Sequence, residues 1–158
     1  MNTGIETVAK RTRAYNTLDG IIHLIHRAGQ LADEEFMASL GGHGITARQF
    51  VVMSVVARQG TPSQTEICDL SGIDRSTLAD IVRRLVARGL LARRRTREDA
   101  RMYAVRLTEP GEKALAEAMS AARLVDQVMF STLSASQRLE FESNLRRMVE
   151  ELQVRRRA

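Results

Sequence analysis

The stretch TPSQTEICDLSGIDRSTLADIVRRLVARGL, residues 61–90, predicts two short helices separated by a glycine turn. Ser63 is an N-cap candidate, and Glu66 follows it at the spacing of a capping box. The chain is expected to turn at Gly72, and Asp74 can then cap the second helix. The two helices are expected to be held together by Ile67, Leu70, Ile73 and Leu78. Apolar residues recur every three or four positions on that helix, which predicts one buried stripe. The stripe consists of Leu78, Ile81, Val82 and Leu85.

The period of the apolar residues changes after this stretch. Gly89 is a natural end for the second helix, because glycine tolerates the left-handed conformation that follows a last turn. Leu91 and residues 102–107 then alternate as the arms of a β-hairpin, with TREDA, residues 96–100, at its tip. Two short helices followed by a hairpin is the element order of a winged helix-turn-helix domain.

The excess positive charge of the chain is concentrated in the same region. The net charge is +5, and residues 74–106 alone contain ten arginines against four acidic residues. Such a cluster is typical of a surface that binds a polyanion, although a solvated charged surface would have the same composition. The element order favours duplex DNA. The second helix would enter the major groove, and the hairpin would lie along the backbone with its tip in the minor groove.

Long amphipathic helices are predicted on both sides of this domain. The first covers about residues 18–36, and Thr46 with Gln49 then begins a further helix through a second capping box. Downstream of the hairpin, Thr108 caps a helix with proline in its first turn, and a last helix begins at Ser134.

The apolar stripes of the flanking helices exceed what a small winged domain could cover, and this predicts a homodimer. The stripes include Ile21, Ile25, Leu31, Leu145, Met148 and Leu152. The expected fold is therefore mainly α with a small β-hairpin wing, in one compact chain. Residues 1–45 would form an N-terminal dimerisation helix, residues 46–109 the winged helix-turn-helix domain, and residues 110–158 the C-terminal dimerisation helices.

Several classes of protein are disfavoured by what the sequence lacks. No apolar run approaches eighteen residues, and the amino terminus has no apolar block of a signal peptide, so a cytoplasmic protein is expected without contact to a membrane. The single cysteine, Cys68, cannot form an internal disulfide and is expected to be a small buried residue. No motif of a hydrolase, metalloprotease or nucleotide-binding loop occurs, so neither an enzyme nor a cofactor is expected.

Three segments taken together resemble the MarR (multiple antibiotic resistance regulator) family of transcriptional regulators. They are TARQFVVMSVVARQG at residues 46–60, the helix-turn-helix stretch through Leu91, and DARMYAVRLTEPGEKAL at residues 99–115. The most specific motifs are Asp74-Arg75-Ser76-Thr77 and Asp99-x-Arg101 followed by Leu107-Thr108-x-x-Gly111. The wing departs from the commonest family form at Glu98 and Ala100.

The resemblance implies a sequence-specific regulator that binds a pseudo-palindromic duplex as a homodimer, most often as a repressor. Asp99 would orient the wing arginine Arg101, although an exposed ion pair is the alternative. The residues expected to contact DNA are Ser63, Gln64, Thr65, Arg75, Ser76, Thr77, Asp80, Arg83, Arg84, Arg95, Arg97, Asp99 and Arg101.

The resemblance also implies release from DNA by a small aromatic or phenolic ligand or its conjugate. The residues expected to bind it are His23, His26, Arg27, Phe50 and Met53. A packed dimer hinge without a ligand is the alternative, and a solvent-facing or core role is the leading explanation for either histidine taken singly. No metal site is expected because no local cysteine or carboxylate completes a set with the two histidines. Two other functions compete: a small-molecule sensor with incidental DNA affinity, and a nucleoid-type protein that binds DNA without sequence preference.

Overall fold

The computed structural model describes residues 20–41, 44–95 and 103–157, and helices dominate these ranges. In chain order the elements are α1 (Ile21–Ser39), α2 (Ala47–Gln59), α3 (Gln64–Ser71), α4 (Arg75–Ala87), β1 (Leu91–Arg95), β2 (Tyr103–Leu107), α5 (Glu109–Met129) and α6 (Ala135–Arg157). No helix in the described ranges is both long and apolar enough to cross a membrane. The predicted mainly α fold with a small β-hairpin is confirmed.

Five of the six described helices begin where their capping residues predict. In each of these five the side-chain oxygen of the cap accepts a hydrogen bond from the backbone N–H three residues further on. The first N–H groups of a helix have no partner inside the helix, so this bond satisfies one of them and fixes the point at which the helix starts. The five caps are Thr46, Ser63, Asp74, Thr108 and Ser134.

The helix-turn-helix pair shares a core with the rest of the chain. Ile67 of α3 is fully buried, and the predicted stripe of α4 belongs to the same core. The expectation that Leu70 also holds the two helices together is wrong, because 54% of this residue is exposed. The chain leaves α3 at Gly72, whose φ is +69°, and Ile73 beyond the turn packs against the core instead.

The hairpin is the wing that the sequence predicts. Strands β1 and β2 pair antiparallel, with Leu91 opposite Leu107. On its other side β2 meets the chain that enters α3, because Val105 donates its N–H to the Pro62 carbonyl at 3.1 Å and Ala104 forms a bridge with Ser63. Strand β2 therefore lies between β1 and the start of α3, which links the wing to the helix-turn-helix.

Helix α5 starts directly against the loop that follows α4. The Thr108 hydroxyl donates to the Gly89 carbonyl at 2.6 Å, and the Thr108 N–H donates to the Leu90 carbonyl at 3.2 Å. A Cβ atom at Gly111 would lie 2.0 Å from the Leu90 carbonyl oxygen. Only glycine allows this approach, so the loop that follows α4 and the start of α5 lie in close contact.

One buried core connects the first five helices with the wing. It includes Phe36 of α1, Met53 of α2, Val82 of α4, Val105 of β2 and Leu115 of α5. Helix α6 contributes no residue to this core within the part of it whose side chains are described. Its apolar residues, like many on α1, are exposed in the single chain.

Candidate DNA-binding surface

Helix α4 has one buried face and one exposed face, as predicted for a recognition helix. The stripe that begins at Leu78 and ends at Leu85 points into the core. Ser76, Ala79 and Arg83 are exposed on the other side. Small side chains near the start of such a helix allow its backbone to approach base edges in the major groove.

The start of α4 is organised by a carboxylate. The Asp74 Oδ1 atom accepts a hydrogen bond from the Ser76 hydroxyl at 2.6 Å and one from the Thr77 N–H at 2.9 Å. These hydrogen bonds hold the pKa of the Asp74 carboxyl far below its ordinary value, and the bond from Ser76 has the largest effect. Because the Ser76 proton is engaged by Asp74, the Ser76 oxygen is left to act as an acceptor toward a ligand.

A second carboxylate lies in the middle of the exposed face. The Asp80 Oδ1 atom pairs with an Nη of Arg83, and the Asp80 Oδ2 atom pairs with Nε of Arg84 at 2.7 Å. The hydrogen bond from Arg83 and the positive charge of Arg84 lower the pKa of the Asp80 carboxyl. Asp80, Arg83 and Arg84, all predicted to contact DNA, are therefore already joined by ion pairs in the absence of DNA.

The start of α3 is only partly available to a phosphate. Glu66 accepts the Ser63 N–H at 2.7 Å, and Ser63 accepts the Glu66 N–H at 3.2 Å, which completes the capping box. The hydrogen bond from the Ser63 backbone lowers the pKa of the Glu66 carboxyl. The N–H groups of Gln64 and Thr65 stay outside the box, but the Glu66 charge reduces the attraction for an anion that the helix start would otherwise exert.

The wing residues are described only in part. Arg97, Asp99 and Arg101 lie outside the described residues, as does the side chain of Arg95. Among the strand arginines whose side chains are described, Arg93 and Arg106 are exposed, and the sequence reasoning did not single them out. The alternation of Val105, Arg106 and Leu107 would have identified the second of them.

The five residues predicted to bind a ligand differ in how far they are exposed. Phe50 is half-buried, with its ring centroid 5.4 Å from that of Phe36, and His23 is also half-buried. Both His26 and Arg27 are exposed on α1, whereas Met53 is fully enclosed in the core.

Two clefts of the described chain lie elsewhere. One, of about 470 Å³, lies between the ends of α2 and β2 and the start of α5, and its lining includes Arg106, Glu112 and Met119. The other, of about 600 Å³, lies between α5 and α6. Sequence reasoning missed both, since each is lined by more than one element and periodicity describes one element at a time.

Cys68 and the possible metal ligands are the remaining candidates for a chemical site. Cys68 is half-buried rather than fully buried, and it packs against the core of the helix-turn-helix. Within residues 20–41, 44–95 and 103–157, no three His, Cys, Asp or Glu side chains come together as a metal site would require.

Comparison with known proteins connects this geometry to one family. The MarR family model matches residues 43–102. The HTH-type transcriptional repressor NicR of Pseudomonas putida is 29% identical over 136 residues, which cover 86% of each chain.

Two solved structures extend the similarity over most of the chain. BpsR of Bordetella bronchiseptica, described together with the regulation of its DNA binding by 6-hydroxynicotinic acid, is 30% identical with a TM-score of 0.80. The similarity covers 85% of this chain and 96% of BpsR. The transcriptional regulator PcaV of Streptomyces coelicolor, solved with its natural ligand, is 26% identical with a TM-score of 0.79, and 87% of this chain and 96% of that one are covered.

Proposed function

Because the chain belongs to the MarR family of transcriptional regulators, we propose that it represses transcription by binding a specific operator as a homodimer. As a member of this family it is a DNA-binding transcription factor and not an enzyme. The observation that carries the proposal is the exposed face of α4, where Ser76, Asp80 and Arg83 are preorganised opposite a fully packed apolar face.

In this proposal α4 lies in the major groove. The base edges and nearest phosphates are contacted from Arg75, Ser76, Thr77, Asp80, Arg83 and Arg84. The start of α3, at Ser63, Gln64 and Thr65, contacts the backbone through N–H and side-chain donors. Arg95, Arg97 and Arg101 of the wing follow the adjacent groove, and Asp99 orients Arg101. Residues 46–109 thus form the DNA-binding unit.

The homodimer is formed by residues 1–45 and 110–158. Support comes from the exposed apolar stripes of α1 and α6, on which Ile21 is 65% exposed and Leu152 is 53% exposed in the single chain. Exposed stripes of this length usually mark an interface. Two copies of α4 would then bind half-sites about one helical turn apart, about 34–36 Å.

A small aromatic acid, a phenol or a related conjugate is the proposed effector. The family relationship supports this class, since the DNA binding of BpsR is regulated by 6-hydroxynicotinic acid. In the proposed site, His23, His26 and Arg27 of α1 supply donors to an anionic or phenolic group, and Phe50 and Met53 of α2 supply apolar contacts. To act as an inducer, the compound must bind the DNA-incompetent conformation more tightly than the DNA-competent one.

Selection from a random duplex pool tests the proposed DNA binding. The recovered operator should be a pseudo-palindrome and should bind about a thousandfold or more tightly than a scrambled duplex of equal length. Equal affinity for both duplexes would contradict a specific regulator and would indicate a nucleoid-type protein.

The effector proposal is tested by the melting temperature and by operator release, with 6-hydroxynicotinic acid, other aromatic carboxylates and phenols as probes. His23→Ala should abolish the response to an active compound, whereas Arg106→Ala, in the cleft beside the wing, should still show the shift in melting temperature. The reverse pattern would indicate that the effector binds in the cleft at Arg106 instead. Binding of a compound without a change in operator affinity would contradict its role as an inducer.

A further inference from the structure

Asp80 is unusual on a surface proposed to bind DNA, because it adds a negative charge to the face that should meet phosphates. Its side chain is 42% exposed, and those of Arg83 and Arg84 are 67% and 64% exposed. Ion pairs that are this open to water contribute little to folding stability. The carboxylate is therefore better explained by what it does to the two arginines than by what it does for the fold.

The geometry divides the carboxylate between the two guanidinium groups. Asp80 precedes Arg83 by three residues and Arg84 by four, the two spacings that bring side chains together on a helix. One oxygen binds a terminal nitrogen of Arg83, and the other binds Nε of Arg84. Arg84 contacts Asp80 through Nε, and its two terminal nitrogens carry the remaining N–H donors of the guanidinium.

An arginine held in this way differs from a free one in what it can bind. A free guanidinium follows the nearest phosphate and gives affinity without sequence information. A guanidinium whose direction is fixed can present its paired donors to the O6 and N7 atoms of guanine, which is direct base readout.

The carboxylate also changes the charge of the group. Asp80, Arg83 and Arg84 together carry one net positive charge instead of two. The loss of one positive charge weakens the attraction of this group to the phosphates of any duplex. Base contacts, which only the operator supplies, therefore become a larger share of the binding free energy.

We propose that Asp80 is a specificity-determining positioning residue, which holds Arg83 and Arg84 for base readout and suppresses their binding to the phosphates of non-operator DNA. This inference rests on the proposed operator binding. It concerns selectivity, and it predicts that loss of the carboxylate makes the protein bind DNA in general more tightly while it recognises its operator less well.

The test compares Asp80→Asn with the parent protein on two labelled duplexes, the operator recovered by selection and a scrambled duplex of the same composition. For the scrambled duplex, Asp80→Asn should raise the affinity by about tenfold and steepen the slope of log affinity against log salt by about one. The ratio of operator to scrambled affinity should fall by about tenfold. Thermal melting should be nearly unchanged, since the pairs are exposed.

Two further variants separate positioning from net charge. Asp69→Asn removes the same charge from the exposed surface of α3 and should leave the affinity ratio near that of the parent. Asp80→Glu keeps a carboxylate within reach of both arginines and should restore most of the ratio and the parental salt slope.

The failure of this inference can be distinguished from failure of the proposed function. If the parent protein prefers its operator and Asp80→Asn keeps the same ratio and slope, Asp80 has no such role. An equal loss of the ratio in Asp69→Asn would attribute the effect to charge alone and would also overturn the inference. If the parent protein itself shows no preference between the duplexes, the proposed operator binding fails first.

Discussion

Helices α4 and α6 both carry apolar residues at helical spacing, but the two helices differ in where those residues lie. In α4, Leu78, Val82 and Leu85 are completely buried within the chain. In α6, Leu145 and Met148 are each 39% exposed, and other apolar side chains of the helix are more exposed still. A helix that is apolar on one side needs a surface against which that side can pack.

The difference indicates that the two helices find that surface in different places. The packing partners of α4 are all in its own chain, so its other face is free to carry a preorganised set of polar and charged groups. Helix α6 is held to the body near its start, where the Phe130 and Phe141 rings lie 5.5 Å apart and Arg138 lies over the Phe130 ring. Beyond that corner its apolar stripe is left for a second copy in the proposed dimer.

The largest expected effect is on the packed helix. Leu85→Ala should lower the free energy of unfolding by about 2–5 kcal/mol, because it removes a completely buried side chain and leaves a cavity. Leu70→Ala, at an exposed leucine of α3, should lower it by less than about 1 kcal/mol. Urea unfolding at one fixed protein concentration measures both, and equal losses would mean that the α4 stripe is not the core that its burial indicates.

Leu145→Glu should act on association rather than on the fold. A carboxylate in the proposed interface should raise the dissociation constant of the dimer by about a hundredfold, with little change in far-ultraviolet circular dichroism. Ser143→Glu is the matched control, because it adds the same charge to α6 two positions earlier, on a different face of the helix. Sedimentation velocity across a concentration series distinguishes the variants. A parent protein that sediments only as a monomer at micromolar concentration would refute the proposed dimer.

Substitutions of arginine on the DNA-binding surface should have a smaller effect. Arg83→Ala should weaken operator binding by about tenfold or more, and more than binding to scrambled DNA. Arg101→Ala should lower the slope of log affinity against log salt by about one if the wing arginine neutralises a phosphate. Arg123→Ala, at an exposed position of α5, serves as the control. An unchanged slope and affinity for Arg101→Ala would mean that the wing is only a solvated hairpin and does not contribute to DNA binding through Arg101.

The smallest effect concerns the cap of α4 and depends on pH. The pKa of Asp74 is lower in the folded chain than the value of about 3.9 expected when unfolded. Its contribution to stability is therefore complete above that value and is lost as the pH falls toward the folded pKa. Asp74→Asn keeps a residue that caps well but does not titrate. Between pH of about 5 and about 2.5, the parent protein should lose more stability than Asp74→Asn, and parallel stability curves would contradict this.

Much of the fold could be predicted because its signals are local. Capping residues such as Thr46 and Asp74 act on N–H groups three positions away, so the sequence alone contains both partners of the interaction. The α4 stripe and the start of the hairpin follow from periodicity for the same reason. Leu70 was predicted wrongly because periodicity describes one helix at a time, whereas burial depends on where the chain goes after the turn at Gly72.

The sequence by itself determined the winged helix-turn-helix order, the capped starts of α2 to α6 and the outward face of α4, since each depends on residues within one or two turns of one another. The tertiary structure alone decided the contacts between distant segments. It brings Gly111 against the Leu90 carbonyl and β2 beside the start of α3, and it forms the cleft at Arg106. The sequence contains the residues that make these contacts, but only the packed chain, in which the backbone positions are fixed, specifies which of the contacts form.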